Sequence, residues 1–342
     1  MTYIITELLG DGISAELAES VRILIDALPL DVKLESVDLS LANRKRHGRE
    51  IFDEAEDSIR RNRFALKYPT TTEEDSPNAI LRERCRFSVI HRPVATLPAV
   101  PTNFSRNLDL NVIRVARGGT YDDPGRAIGN EVAVSLRIVE RQVCWEAANY
   151  AFALARRLGC HVTSASKHTV QAATDGLFEM VVDEVARRFD EVTRQEELFD
   201  ALLAKIIMRH EQFNVVLVLN EYGDFLSDMA CGLAGSMGIG ASANLSFSNT
   251  GEVELAMFDP AGGTAPDIAG RGLVNPTAIF LAMEMLLDEL GESQVSAAVR
   301  AAVVDNLRQG HTTPDLGGDL STIEFSRRVA DSLAEQLEMV AT

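Results

Sequence analysis

Apolar residues fall along this chain in two alternating rhythms. Short runs rich in Val, Ile, Leu and Phe predict strands at Tyr3–Leu9, Val32–Val37, Phe87–His91, Asn111–Ala116, His161–Ala165 and Asn214–Leu219. Between them, apolar residues at three- and four-residue spacing predict helices at Ala15–Leu28, Arg141–Leu158, Val170–Phe189, Glu196–Arg209, Pro276–Leu290 and Gln294–Arg308. Strands alternating with helices are the pattern of an α/β protein with much parallel sheet, since parallel neighbours need a crossover between them. At ~150 residues per domain, 342 residues predict two domains or one large one. No tandem repeat, low-complexity tract or Ser- or Pro-rich linker separates them, so two domains would be closely joined.

Three segments break the rhythm: Leu66–Pro93, Asn220–Asn244 and the Gly- and Pro-rich Phe258–Pro276. Ordered loops of this length tend to carry function. The formal charge of −18 repels phosphate backbones and anionic lipid, which argues against nucleic-acid and membrane partners. No apolar run approaches the about 18 residues of a membrane span. The N-terminal MTYIITELLGDG reaches acidic residues too soon for a secretory signal. Cys85, Cys144, Cys160 and Cys231 form neither a disulfide framework nor a CxxC motif, and a cytoplasmic protein is expected.

Within the second segment, Asp224 and Asp228 lie four apart and share one face if the segment is helical. Either that face is solvated, or a cation relieves the repulsion; an all-oxygen site of this kind suits Mg²⁺ or Mn²⁺. Arg82 and Arg92 flank a predicted helix–strand junction, and Arg114 lies in a strand. A guanidinium there must be paired, by structural carboxylates or by those of a ligand. Lys167 follows a strand directly, where ligands bind in parallel sheets. Gly238–Ala243 matches a relaxed GxGxxA fingerprint, but it follows a helical pattern and precedes NLSFSN, so it is rejected as a dinucleotide site.

Taken together, the segments resemble the metal-dependent β-decarboxylating dehydrogenases, which include the isocitrate, homoisocitrate and 3-isopropylmalate enzymes. GDGISAE at Gly10–Glu16 resembles the family's GDGIGPE turn, NEYGDFLSDMACGLAGSMGIGASAN its aspartate signature, and DPAGGTAPDIAGRGLVNP its cofactor loop. TTPDLGGD at Thr312–Asp319 matches a stretch near the C-terminus.

The resemblance implies an isocitrate/isopropylmalate dehydrogenase-like α/β fold with a parallel or mixed sheet, distinct from a standard Rossmann fold. It places residues 1–87 and 236–342 in a discontinuous cofactor-binding domain and residues 88–235 in a smaller dimerisation domain. Tyr121 and Lys167 are the implied catalytic residues, and Ser76, Asn78, Arg82, Arg92 and Arg114 the substrate-binding ones. Asp200, Asp224 and Asp228 would hold Mg²⁺ or Mn²⁺, with Lys167 and Asp200 meeting the other aspartates across a homodimer interface. Thr72, Gly263, Thr264, Ala265, Asp267, Ile268 and Asn275 would bind NAD, Asp267 favouring it over NADP by accepting from a ribose 2′-hydroxyl.

The implied reaction is oxidative decarboxylation of a (2R)-hydroxy acid with a 3-carboxylate. Ser76 and Asn78 favour isocitrate or a close tricarboxylate; homoisocitrate, 3-isopropylmalate and an unusual analogue such as a phosphonate are alternatives. The chain also departs from the family. Val115, Ala116 and Arg117 replace the glutamate, asparagine and threonine of RENTEGEY; Gly262 replaces a histidine; Ser14 and Ala15 replace glycine and proline. Arg117 introduces a cation able to recognise a further anionic group. The rival expectation is a catalytically silent regulatory subunit.

Overall fold

The computed structural model describes the backbone of residues 2–73, 75–102, 104 and 106–341, with side chains as far as residue 338; Glu74, inside the 66–93 segment, lies outside the described residues. One ten-stranded mixed sheet organises the chain, in the order β2-β1-β3-β12-β11-β4-β5-β10-β8-β9. The first strands are β1 (Thr2–Leu9), β2 (Asp31–Asp38) and β3 (Phe64–Lys67), all parallel, with α1 (Ser14–Asp26), α2 (Leu41–His47) and α3 (Glu50–Asn62) between them. The chain passes through α4 (Pro77–Arg84) to the antiparallel pair β4 (Val89–Ala95) and β5 (Asp109–Val115) at the middle of the sheet. A small exposed hairpin, β6 (Arg126–Ile128) and β7 (Val132–Val134), stands apart from the main sheet.

The far half of the sheet is again parallel. It contains β8 (Val162–Ser166), β9 (Arg194–Leu198) and β10 (Val215–Val218), with α5 (Arg141–Leu158), α6 (Thr174–Ala186) and α7 (Phe199–Arg209) in the connections. After α8 (Asn220–Ala234) the chain returns through antiparallel β11 (Ala241–Phe247) and β12 (Val253–Pro260), and β12 pairs parallel with β3. The final helices are α9 (Thr277–Glu289), α10 (Ser293–Arg308) and α11 (Thr322–Ala341). The mixed sheet joins both ends of the chain to its middle.

The six predicted strands and six predicted helices all form, with shifted edges. One edge is a correction: the helix expected from Glu196 begins at Phe199, because Arg194–Leu198 is an edge strand hydrogen-bonded to β8. Arg194, just before the expected helix start, ion-pairs with Glu179 and so places a charged residue on the sheet edge. The helix expected from Val170 begins at Thr174. Buried apolar side chains form one large cluster reaching from α1 and α9–α11 to α5–α7, and a smaller one where Ile51, Phe52 and Ile59 of α3 cover the opposite face. Among the described residues no helix is long and apolar enough to cross a membrane.

Candidate active site

A cavity of about 770 Å³ opens where α4, β4, β5, the loop after β5 and the start of α8 meet. Its chemistry begins with Arg114, whose side chain is only 2% exposed although it sits in a strand. The Arg114 Nε donates to Asn220 Oδ1 at 2.8 Å, and its guanidinium forms an ion pair with Asp224. A Cβ on Gly223 would lie 2.5 Å from the Arg114 Cβ, so only glycine lets the arginine run beside α8 into the cavity. Arg92, on β4, donates to Ser227 Oγ at 2.7 Å and to Asp224 Oδ1 at 3.2 Å, and lies 3.7 Å from Asp228. Arg82 leaves α4 to donate to Asn244 Oδ1 at 2.9 Å, and the Asn244 amide donates in turn to Asp259 at 3.2 Å.

Three guanidiniums thus crowd one cavity. Burial lowers Arg114 to about 9, and Arg82 and Arg92 push it the same way against Asp224. Burial likewise lowers Arg82 to about 10, opposed by Asp259. Both remain charged at neutral pH, and an anion entering the cavity would offset their mutual repulsion. Close by, Lys67 is fully buried and donates to the Tyr68 carbonyl and to Thr70 Oγ1, with burial lowering it to about 8.

Tyr121 OH donates to Asp224 Oδ2 at 3.1 Å, and its ring stacks against the Arg114 guanidinium. Partial burial, reinforced by the Asp224 charge, raises the Tyr121 phenol, so it holds its proton at neutral pH. Burial would push Asp224 up, but Arg114, Arg92 and the Tyr121 hydroxyl outweigh it and hold the carboxyl below its ordinary value. Asp228, one turn on, is raised by burial and by Asp224, against Arg92.

The two aspartates offer hard oxygen donors on one helix face, which fits Mg²⁺ or Mn²⁺. Among the described residues of one chain, however, no three His, Cys, Asp or Glu side chains converge on a metal position. The third expected ligand lies elsewhere: Asp200, in the first turn of α7, accepts from Lys167 Nζ at 2.7 Å on both oxygens. That hydrogen bond lowers the Asp200 carboxyl. Neither Lys167 nor Asp200 lines the cavity. The Lys167 turn is held by the buried Asp175, which accepts from the Lys167 amide at 2.7 Å and from Tyr222 OH at 3.1 Å. Arg137 ties Asp175 to Glu221 of α8, so this turn is braced against the helix carrying Asp224.

Ser76 caps α4 by accepting from the Ala79 amide at 3.3 Å, and Asn78 follows it on the cavity wall. Of the expected cofactor residues, Thr264 packs against the turn that follows β1. Ile13 donates to the Thr264 carbonyl at 3.0 Å, and a Cβ on Gly12, whose φ is +57°, would lie 1.9 Å from that oxygen. Glu16 accepts from the Gly270 and Gly272 amides at 2.8 Å, binding the loop to α1. Asn275 donates to Asp315 at 3.0 Å, while Asp267 and Thr72 stand exposed. The rejected fingerprint at Gly238–Ala243 opens β11, not a helix. Asn220, Asn244, Ser227, Asp259 and Lys67 were not singled out by sequence; the first three sit inside the aspartate segment, where only charge spacing drew notice.

The model of the isocitrate/isopropylmalate dehydrogenase family matches residues 2–329. A catalytic subunit of mitochondrial NAD isocitrate dehydrogenase from Arabidopsis thaliana is 32% identical over 330 residues, covering 95% of this chain and 87% of the relative. A 3-isopropylmalate dehydrogenase from Archaeoglobus fulgidus is equally 32% identical, over 95% of this chain and 97% of its own. The crystal structure of an isocitrate dehydrogenase from Methylococcus capsulatus superposes with a TM-score of 0.88 at 29% identity, covering 98% of this chain and 99% of that one.

Proposed function

The chain belongs to the isocitrate/isopropylmalate dehydrogenase family of β-decarboxylating dehydrogenases, and on that premise we propose that it oxidises and decarboxylates a (2R)-hydroxy acid bearing a 3-carboxylate, with NAD and Mg²⁺ or Mn²⁺. The preferred substrate is isocitrate or a close analogue. The observation that carries this reading is the convergence of Arg82, Arg92 and Arg114 with Tyr121 and Asp224 on one cavity. Relatives of equal identity named for different substrates leave the choice to these side chains.

The arginines bind the substrate carboxylates and orient the C2 hydrogen toward the nicotinamide. A cation held by Asp224 and Asp228, with Asp200 of a second copy, would supply Lewis-acid polarisation of the substrate oxygens. Lys167, arriving with Asp200 from that copy, accepts the hydroxyl proton, and Tyr121 delivers its phenolic proton to C3 once CO₂ has left. A homodimer is therefore part of the proposal, because one chain keeps Lys167 and Asp200 outside its own cavity. NAD would supply the hydride acceptor; Gly263, Thr264, Ala265, Ile268, Asn275 and Thr72 would flank it, and the exposed Asp267 carboxylate would accept from a 2′-hydroxyl and repel a 2′-phosphate. A cytoplasmic setting accords with four free cysteines.

The test is NADH formation with Mg²⁺ or Mn²⁺ against isocitrate, homoisocitrate, 3-isopropylmalate, D-malate and tartrate. Turnover of isocitrate or homoisocitrate above the others is the expected result. Turnover with NADP exceeding that with NAD contradicts the role of Asp267. Silence on all five acids without NAD binding favours the regulatory-subunit reading that Val115 and Ala116 suggest.

A further inference from the structure

Of the four guanidiniums lining the cavity, three are spoken for within the fold. Arg82 is held by Asn244, Arg92 by Ser227 and Asp224, and Arg114 by Asn220 and Asp224. Arg117 has no hydrogen bond or ion pair among the described residues, and its Nε is buried. A buried N–H without a partner is destabilising, and on a cavity wall a ligand that accepts from it accounts for its being kept.

The nearby carboxylates do not supply that partner. Asp224 is engaged by Arg92, Arg114 and Tyr121; Asp122 accepts from the Gly118 amide at 2.8 Å; Glu83 and Glu140 are exposed on the cavity rim. The loop carrying Arg117 is held on both sides. Asn220 donates to the Gly118 carbonyl at 2.9 Å, and Gly119 exchanges backbone hydrogen bonds with Ile138 at 2.6 and 2.9 Å. Two further orphans face the same cavity, the buried Oδ1 of Asn78 from α4 and the Nε of Arg92, although Nη1 of that arginine is held by Ser227 and Asp224.

We propose that Arg117 receives an anionic group on the third arm of the substrate, a carboxylate or phosphonate beyond the two carboxylates bound by the other arginines. The inference rests on the decarboxylase reading and sharpens it. A guanidinium fork matches both oxyanions, whereas an alkyl arm would leave the Nε desolvated and unpaired. The loop ties hold the backbone that carries Arg117 in place before binding, so only its side chain has to be ordered on capture.

The experiment measures binding of unreactive analogues by calorimetry, in the presence of Mg²⁺. The probes are tricarballylate, its phosphonate counterpart 2-(phosphonomethyl)succinate, and 2-methylsuccinate, whose arm is uncharged. Wild type is expected to bind at least one of the two charged-arm probes about tenfold more tightly than methylsuccinate, and the tighter of them names the anion. Arg117→Ala should reduce that preference to about twofold or less, and Arg117→Lys should recover part of it. Because Arg117 makes no hydrogen bond or ion pair among the described residues, the melting temperature of Arg117→Ala should stay near that of the wild type. A wild-type preference that survives in Arg117→Ala overturns the proposal, as does a wild type that binds neither charged-arm probe better than methylsuccinate. The binding readout needs no turnover, so a failure of the decarboxylase reading shows separately, as absence of NADH from every acid of the panel.

Discussion

Asp224 is the hinge of the site at the scale of single residues, since Arg92, Arg114 and Tyr121 all reach it. Its relation to Asp228 was legible from the four-residue spacing alone, because a helix places such residues on one face. The need for a partner at Arg114 was legible too, because a buried guanidinium in a strand demands one. Which partner it takes was not: Asn220 is a neutral amide, as is the Asn244 that holds Arg82, and no spacing rule distinguishes an anchoring amide from any other. Asp228 gives the sharpest residue-level prediction. Its side chain is 54% exposed and supports little of the fold, so Asp228→Asn should leave the melting temperature near wild type. Turnover at saturating substrate should drop by about a hundredfold or more, with weaker activation in a Mn²⁺ titration. Unchanged turnover would remove Asp228 from the metal site.

At the scale of elements, helix α8 carries the aspartates and also makes room for Arg114. An exposed helical glycine replaced by alanine normally gains about 1 kcal/mol. At Gly223 the added Cβ would meet the Arg114 Cβ and Cγ at 2.5 and 2.6 Å. Gly223→Ala should therefore destabilise the protein by about 1–3 kcal/mol in urea unfolding and raise the KM for anionic substrates. A stabilised variant with unaltered KM would show that the arginine's path is not set by this contact. The strands and helices with continuous apolar rhythm were readable in sequence. Strands β11 and β12 were not, and the cause in β11 is chemical: Ser242, Asn244 and Ser246 are buried in ASANLSF, where the apolar rhythm leads one to expect Val or Ile. Strand β9 escaped for a related reason, since its RQEEL sequence is that of a charged sheet edge and blends into the helix that follows.

At the scale of the whole molecule, the residues that the proposed chemistry needs lie in two separate places. The cavity holds the arginines, Tyr121 and Asp224, while Lys167 and Asp200 pair with each other outside it. Two copies that exchange these parts would complete two sites. Lys167→Ala and Asp224→Asn should each be inactive alone, yet a refolded equimolar mixture should regain roughly a quarter of wild-type activity. Half of randomly assembled dimers are hybrids, and each hybrid holds one intact site. Absence of recovery in demonstrated hybrids would place the whole site within one chain. Sharing of this kind came from the family resemblance and not from hydrophobic pattern, because a pattern within one chain carries no mark of which copy a side chain serves.

The central claim joins hydride transfer to loss of CO₂ on one substrate, and the direct measurement is the stoichiometry of the two products. With isocitrate, NAD and Mn²⁺, NADH and CO₂ should appear in equal amounts and at equal rates, and both should cease on chelation of the metal. NADH released without CO₂, or neither product from isocitrate or any other acid of the panel, would contradict it.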